Sequence, residues 1–496
     1  MAAARVACDV CREDQLQMEC CSGGLLRGGG GSTTALPDAA ADGGEEEQQP
    51  DRISALPDDL LLRILTCLGC ARAAAHTALL ARRWRGLWAR LPELSFHCIA
   101  PAPLQAALAM VVPTPALLDI DLCHYSHHAL GSSGVASLLG AAAAVAPAEF
   151  VFHVAVTVRG NPVVLPCFDR TASIKLDVRS VDFTLPPPPA GGFPALESLH
   201  LDYCSIDLAD MIPRCPRLRK LSIPSWNSDT LTVCSPSLEE LGVYAIVQIS
   251  SINIVTPVLK RLYLNAHCGI STNFGFAFSA PAVEDLTWKC ECKIISYSFG
   301  VLWRMWSMSF ELMQLSNNSE CATLQPQHHP RVGVLSLILE TSVFIGVSTR
   351  SFEQEISRFQ VIANLSVLEL NVSSQGHVYG AIVLHLLGLC PHVQRLRVMP
   401  YDFGVENACF ANYRCDQPNN WRSQSISLTD LIEVEIGGFR GQDHEVDLLK
   451  VILRCAPVLE IVTVRFSRKV SLSDSGCMGI NGILKAYPSV QFNIYY

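Results

Sequence analysis

The chain has 496 residues, 49% of them hydrophobic and 17% charged, and a formal net charge of −9. That apolar content excludes a disordered chain, and the length leaves room for a large core or several domains. Its Lys and Arg are scattered rather than clustered, which argues against a nucleic-acid surface, where basic side chains must concentrate.

Residues 1–50 mix Cys, Gly, Ala and Glu without periodicity and read as a disordered tail and linker. Cys8-x-x-Cys11 followed by Cys20-Cys21 offers four thiolates, the number tetrahedral zinc requires. The second pair is adjacent rather than spaced, and nothing around it has a foldable pattern, so no metal is expected. No basic stretch leads into a short apolar run with a small-residue cleavage site, so no secretory signal is read. The 21 cysteines are then expected as thiols, many of them small buried hydrophobes, as at Cys215, Cys390 and Cys455 beside or near proline. The expected compartment is cytoplasm, nucleus or both.

From residue 53 to residue 91 the pattern becomes helical. Leu61, Ile64, Leu65 and Leu68 recur at i, i+3, i+4 and i+7, which predicts one apolar helix face. Pro57 suits a first turn, Asp58 and Asp59 complement the positive helix N-terminus, and Gly69 can end the helix. A second pattern sets Leu80, Trp84, Leu87 and Leu91 on one face, closed by Pro92.

Beyond residue 100 the style changes. The cluster Cys123-His124-Tyr125-Ser126-His127-His128 follows a strand pattern and reads as loop, not as a metal site. The most membrane-like stretch, 130–158, is interrupted by Pro147 and Glu149 and reads as a buried helix followed by a strand. Then a phrase recurs, Pro-x-aliphatic-x-x-aliphatic-x-aliphatic, as in Pro194-Ala-Leu196-Glu-Ser-Leu199-His-Leu201. Prolines 194, 216, 236, 257 and 281 begin copies at intervals within the leucine-rich-repeat range of about 20–29 residues. Related phrases begin at prolines 115, 391 and 457. Each predicts a short strand that cannot bury its aliphatic side chains alone but does so when stacked on its neighbours. Residues 290–390 are irregular, with strand patterns at 332–339 and 365–372 and a loop pattern at 324–330. The residue between the last two aliphatics of each phrase should face outward. These are His200, Ser222, Gly242, Tyr263, Thr287, Arg397 and Thr463.

The segment Leu56-Pro57-Asp58-Asp59-Leu60-Leu61-Leu62-Arg63-Ile64-Leu65, followed by Arg82-Arg83-Trp84-Arg85-Gly86-Leu87-Trp88, resembles an F-box. The resemblance implies a helical module over 51–92 that packs on a Skp-type adaptor and through it on a cullin scaffold. The equivalent contacts are Leu56, Pro57, Asp58, Leu60, Leu61 and Ile64, with Leu65, Trp84, Leu87 and Trp88 helping to form the core or the contact. One departure stands out: residues 69–76 are Ala-rich where the family has a Val- or Leu-rich segment. Near the other end, Leu428-Thr429-Asp430-Leu431 through Gly437-Gly438-Phe439-Arg440-Gly441, then 445–453 and Ala456-Pro457-Val458-Leu459, looks like the FBD domain of plant F-box proteins. Gly437, Gly438 and Gly441 would permit a tight turn there.

The expected architecture is α/β: an F-box at 51–92, a leucine-rich-repeat solenoid of parallel strands with helical or loop crossovers at 100–425, and an FBD-like region at 426–496 that completes it. Phosphate-binding loops, nucleophile elbows and zinc-protease motifs are missing from the sequence. The role that the resemblance implies is a non-catalytic substrate receptor of a ubiquitin ligase, and no cofactor, membrane or nucleic-acid partner is expected. His200, Ser222, Tyr263, Thr287 and Arg397 are the candidates for holding a target protein. The alternative is a repeat scaffold whose F-box has decayed.

Overall fold

The repeated phrase opens with a turn, and the strand follows it. The carbonyl of Phe193 accepts from the N–H of Leu196 at 3.2 Å, which sets Pro194 at the second position of a four-residue turn. The same bond spans Cys215–Leu218, Thr256–Leu259, Ala280–Val283, Cys390–Val393 and Ala456–Leu459. Proline fits this position because its ring presets φ and it has no N–H to leave unpaired. The first aliphatic of each of these six phrases, Leu196, Leu218, Leu259, Val283, Val393 and Leu459, is buried beneath its turn. The computed structural model describes residues 53, 56–97, 99–112, 114–122, 130–155, 158, 160–187, 191–299, 301–314, 331–342, 353, 365–401, 420–467 and 475–496. The four N-terminal cysteines, the 123–128 cluster and the 324–330 loop pattern lie outside these residues.

The chain divides into two compact units, Met1–Ser225 and Trp226–Tyr496. In the first, helices Asp58–Thr66 and Ala71–His76 and three 3-10 turns precede the strands β1 (Glu93–His97), β2 (Leu117–Asp121), β3 (Glu149–Val154), β4 (Val163–Val164), β5 (Ser173–Thr184), β6 (Ser198–Ile206) and β7 (Lys220–Trp226). They pair in parallel in the order β1-β2-β3-β5-β6-β7, with β4 on the far end of β5. Leu94, Leu118, Phe150, Ile174, Leu199 and Leu221 align in one register row and are all buried. Period-two alternation thus becomes a ladder of apolar rungs. The Ala-rich stretch after residue 130 is the helix Ser132–Val145, which buries Val135, Leu138, Leu139 and Ala142. Among the described residues, no helix is long and apolar enough to cross a membrane.

The second unit contains β8 (Thr230–Cys234), β9 (Glu240–Ala245), β10 (Ile249–Val255), β11 (Arg261–Ala266), β12 (Ile270–Ser279), β13 (Asp285–Phe299), β14 (Val301–Gln314), β15 (Arg331–Ser342), β16 (Leu365–Ser373), β17 (Arg395–Pro400), β18 (Glu433–Phe439), β19 (Ile461–Phe466) and β20 (Gln491–Tyr495). Two expectations are corrected here. First, the crossovers between β9, β11 and β13 are neither helix nor loop. They contain β10 and β12, which with β8 form a separate parallel sheet. These repeats are short, and Thr230-Leu231-Thr232-Val233-Cys234 alternates with period two, the pattern of a strand. The more widely spaced later strands leave room for helices, namely Gly380–Leu389, Asp443–Cys455 and Ser475–Ala486.

Second, the sheet is not parallel throughout: β13, β14 and β15 pair antiparallel. A single residue separates β13 from β14, whereas a parallel pair needs a crossover of about a dozen residues or more. From β15 to β20 the pairing is parallel again. The excursion also shifts the register. Leu396 aligns, through Leu368, Leu335 and Phe310, with Trp288 and Leu264 rather than with Leu286 and Leu262.

Candidate functional site

Five of the nine residues in helix Asp58–Thr66 are Leu or Ile, more than one stripe can bury. Leu61 and Leu65 turn inward and are 0% and 1% exposed. Leu60 and Ile64, with Leu68 just beyond the helix, lie on another line at i, i+4 and i+8 and are 42%, 40% and 38% exposed. The predicted face of Leu61, Ile64, Leu65 and Leu68 is therefore two stripes, one sealed and one open. Ile53, Leu79 and Leu80 are exposed as well, and Leu56 is half-buried beside the exposed Pro57.

The second helical pattern is broken into 3-10 turns Thr77–Leu79, Arg82–Trp84 and Leu87–Arg90. Gly86 has φ 79°, left-handed backbone that a regular helix does not pass through, and Ala81 and Arg85 are extended. Trp84, Leu87 and Trp88 are buried, and Trp88 meets Phe96 of β1 edge to face at 6.3 Å. Of the expected contact residues, Leu61, Leu65, Trp84, Leu87 and Trp88 are thus buried within the chain itself, and Trp88 packs the module on the edge of the first sheet. Asp58 also has an internal task. Its carboxylate accepts from Arg83 Nη2 at 2.9 Å and Arg90 Nη1 at 3.3 Å, tying the helix start to two of the later turns. The Arg83 hydrogen bond, more than any other influence, holds this carboxyl below the usual carboxylate range.

The outward strand positions divide between the units. In the first, His200 and Ser222 are register neighbours and partly exposed, with Lys175 on the other side of His200. In the second, Gly242, Tyr263 and Thr287 align, and Tyr263 is an exposed ring. Arg397 does not join them. The register shift sets it in line with Asn265 and Lys289 instead. Nor does Thr463 face solvent, for it is buried.

Arg397 is the centre of a charge ladder that the phrase pattern did not reveal. Its Nη1 donates to Glu369 at 2.8 Å and its Nε to Glu435 at 2.9 Å. Glu435 accepts in turn from Arg465 Nε at 2.7 Å, and the Arg465 guanidinium lies 4.5 Å over the Tyr495 ring. The sequence signal was present: each charge occupies the outward position of a neighbouring strand, but finding the partners required the register. Burial works upward on the Glu435 carboxyl, and hydrogen bonds from Arg465 and Arg397 overcome it, leaving it below its ordinary value.

The FBD-like region is built on one buried carboxylate. Glu445, third residue of helix Asp443–Cys455, accepts from the backbone N–H groups of Arg440 at 2.9 Å and Gln442 at 3.0 Å. It also accepts from the Tyr379 hydroxyl at 3.1 Å. Gln442 and Glu445 form a reciprocal capping box. Burial pushes the Glu445 carboxyl up in spite of these donors. Of the three predicted turn glycines, Gly438 and Gly441 have positive φ. A Cβ on Gly437 would lie 2.5 Å from the Met399 sulfur, so that glycine serves close approach. Among the described residues, no group of three or more His, Cys, Asp or Glu is arranged to hold a metal.

A family profile for the leucine-rich repeats of FBD-associated F-box protein At5g56370 matches residues 137–282. The chain is similar to the putative FBD-associated F-box protein At5g56560 of Arabidopsis thaliana, at 27% identity over 48% of this chain and 55% of the relative. It is also similar to the putative FBD-associated F-box protein At5g56390 of Arabidopsis thaliana, at 27% identity over 84% of this chain and 91% of the relative. With FBD-associated F-box protein At3g52670 of Arabidopsis thaliana it shares 23% identity over 59% of this chain and 74% of the relative. The repeat phrase and the two terminal resemblances agree with these similarities to plant FBD-associated F-box proteins with leucine-rich repeats.

Proposed function

We propose that the chain is a substrate receptor of a Skp–cullin–F-box ubiquitin ligase, working in the cytoplasm, the nucleus or both. The observation that carries this reading is the open apolar line of Leu60, Ile64 and Leu68, set against a sealed line of Leu61 and Leu65. A module that needed its helix only as a cap would not keep a second apolar stripe in water. An adaptor covering that stripe would gain its burial without unfolding anything. The outward residues His200, Ser222, Tyr263 and Thr287 are the proposed target contacts. Arg397 is a poorer candidate, because both of its flanks are occupied by carboxylates. Such a receptor needs no catalytic residue of its own, since it acts by raising the concentration of target near the charged conjugating enzyme.

The test is co-purification with a Skp-type adaptor. Leu60→Asp with Ile64→Asp should abolish capture while the protein stays folded. Capture that survives both charges overturns the docking reading. A second reading, a repeat scaffold that has lost adaptor binding, draws support from the Ala-rich helix Ala71–His76 and the irregular turns after it. Intact wild-type protein that fails to capture the adaptor favours that reading.

A further inference from the structure

One register position on the outward face of the first unit reads His97, Asp121, His153, Asp177 and Asp202 on successive strands. His153 on β3 lies between two carboxylates. Its Nδ1 is 3.2 Å from Asp121 Oδ1 on β2, and its Nε2 is 3.4 Å from Asp177 Oδ2 on β5. These three side chains are only 14–20% exposed, so water screens the contacts weakly. A neutral imidazole has one N–H and one lone pair, and a carboxylate only accepts. A neutral His153 would therefore satisfy one aspartate and set its bare nitrogen against the other. Only the imidazolium donates to both.

We propose that His153 is a proton-operated clasp: with both ring nitrogens protonated it ties β2, β3 and β5 together across the outward face, and losing one proton releases one of the two ties. Charged groups on the neighbouring described strands face the same row. Asp119 on β2 and Lys175 on β5 flank it one outward position earlier. His97 Nδ1 approaches the second oxygen of Asp121 at 3.9 Å from β1. Beyond Asp177, Asp202 accepts from the Ser225 hydroxyl, and the Arg179 guanidinium lies 5.2 Å over the Tyr203 ring.

The sign of the effect follows from these neighbours. Two carboxylates favour the charged ring in the folded protein and are dispersed in the unfolded chain. The clasp therefore contributes fully below the free imidazole value of about 6.5 and is lost as pH rises past the folded midpoint. The row also becomes more negative as the proton leaves, so the outward face of these repeats changes charge with pH. This inference does not rest on the ligase reading.

The experiment is 15N-histidine NMR of the full chain, with the His153 signal identified by its loss in His153→Gln. It is paired with hydrogen-exchange protection of β2, β3 and β5 measured from about pH 5 to about pH 9, either side of the imidazole range. Both ring nitrogens of His153 should be protonated at about pH 6.5, the titration midpoint should fall in Asp121→Asn and in Asp177→Asn, and protection should decline through the wild-type midpoint. A neutral tautomer at that pH, or a midpoint that neither asparagine moves, overturns the clasp. Once His153→Gln has identified the signal, the wild-type 15N pattern decides the question even where an asparagine variant fails to fold.

Discussion

Replacing Leu60, Ile64 and Leu68 with alanine removes the open apolar line without touching the core beneath it. Each side chain is about two-fifths exposed, so docking can hide only that remaining fraction. Full burial of a Leu or Ile stabilises by about 1.5–3 kcal/mol, and two-fifths of that is about 0.6–1.2 kcal/mol per residue. Three residues together contribute about 2–3.5 kcal/mol, a loss of adaptor affinity of about twenty- to four-hundred-fold. Fold stability should change far less, because surface truncations away from special features mostly stay within about 0.5 kcal/mol each. The control is Leu61→Ala, which opens a cavity in a fully buried site and should cost about 2–5 kcal/mol of stability. Calorimetric titration against a purified Skp-type adaptor reads the first effect, and thermal unfolding reads the second. Affinity of the triple variant within about threefold of wild type would refute the reasoning, since the exposed line would then contribute nothing to the contact.

Glu445→Gln should keep the capping geometry, because an amide oxygen can accept from the Arg440 and Gln442 N–H groups while its NH2 donates to the Tyr379 oxygen. Burial raises the Glu445 carboxyl, so the folded state holds that proton to higher pH than the unfolded chain, and this group's contribution declines as pH rises through the folded value. Glutamine should flatten that dependence in unfolding curves taken across pH, whereas Glu445→Ala should lose about 2–4 kcal/mol through stranded backbone donors. Glu435 acts with the opposite sign. Its carboxyl is lowered, so its contribution is present above the unfolded value of about 4.3 and lost as pH falls through the folded one; Glu435→Gln should blunt acid unfolding of the last strands. Gly380→Ala would set a Cβ 2.5 Å from the Trp421 ring, which is wholly buried, and should lower stability by about 1–3 kcal/mol, measured by denaturant titration.

Much of the repeat architecture is carried locally. Proline at the second turn position, one aliphatic under the turn and two alternating aliphatics in the strand are nearest-neighbour instructions, and the phrases at prolines 194, 216, 257, 281, 391 and 457 follow them in both units. The motif around Leu56-Pro57-Asp58 is local in the same way: helix-start chemistry and capping act within a few residues. The core row from Leu94 to Leu221 follows from alternation alone once neighbouring strands pair.

Tertiary structure decided what depends on partners distant in sequence. A helix that is apolar on two sides does not specify which stripe is buried, and only packing beneath it sealed Leu61 and Leu65 while leaving Leu60 and Ile64 open. Alternation marks a strand without fixing its pairing direction, so the antiparallel turn through β13, β14 and β15 was not legible. That turn moved Arg397 out of the Tyr263 row and between two glutamates, a consequence of register that no single phrase contains. The sequence by itself therefore determined the repeats, their turns and the helical module, because short-range sterics and hydrophobic period encode them. Which faces stay open and which charges meet was settled only by the assembled sheets, because pairing order is a property of the whole chain.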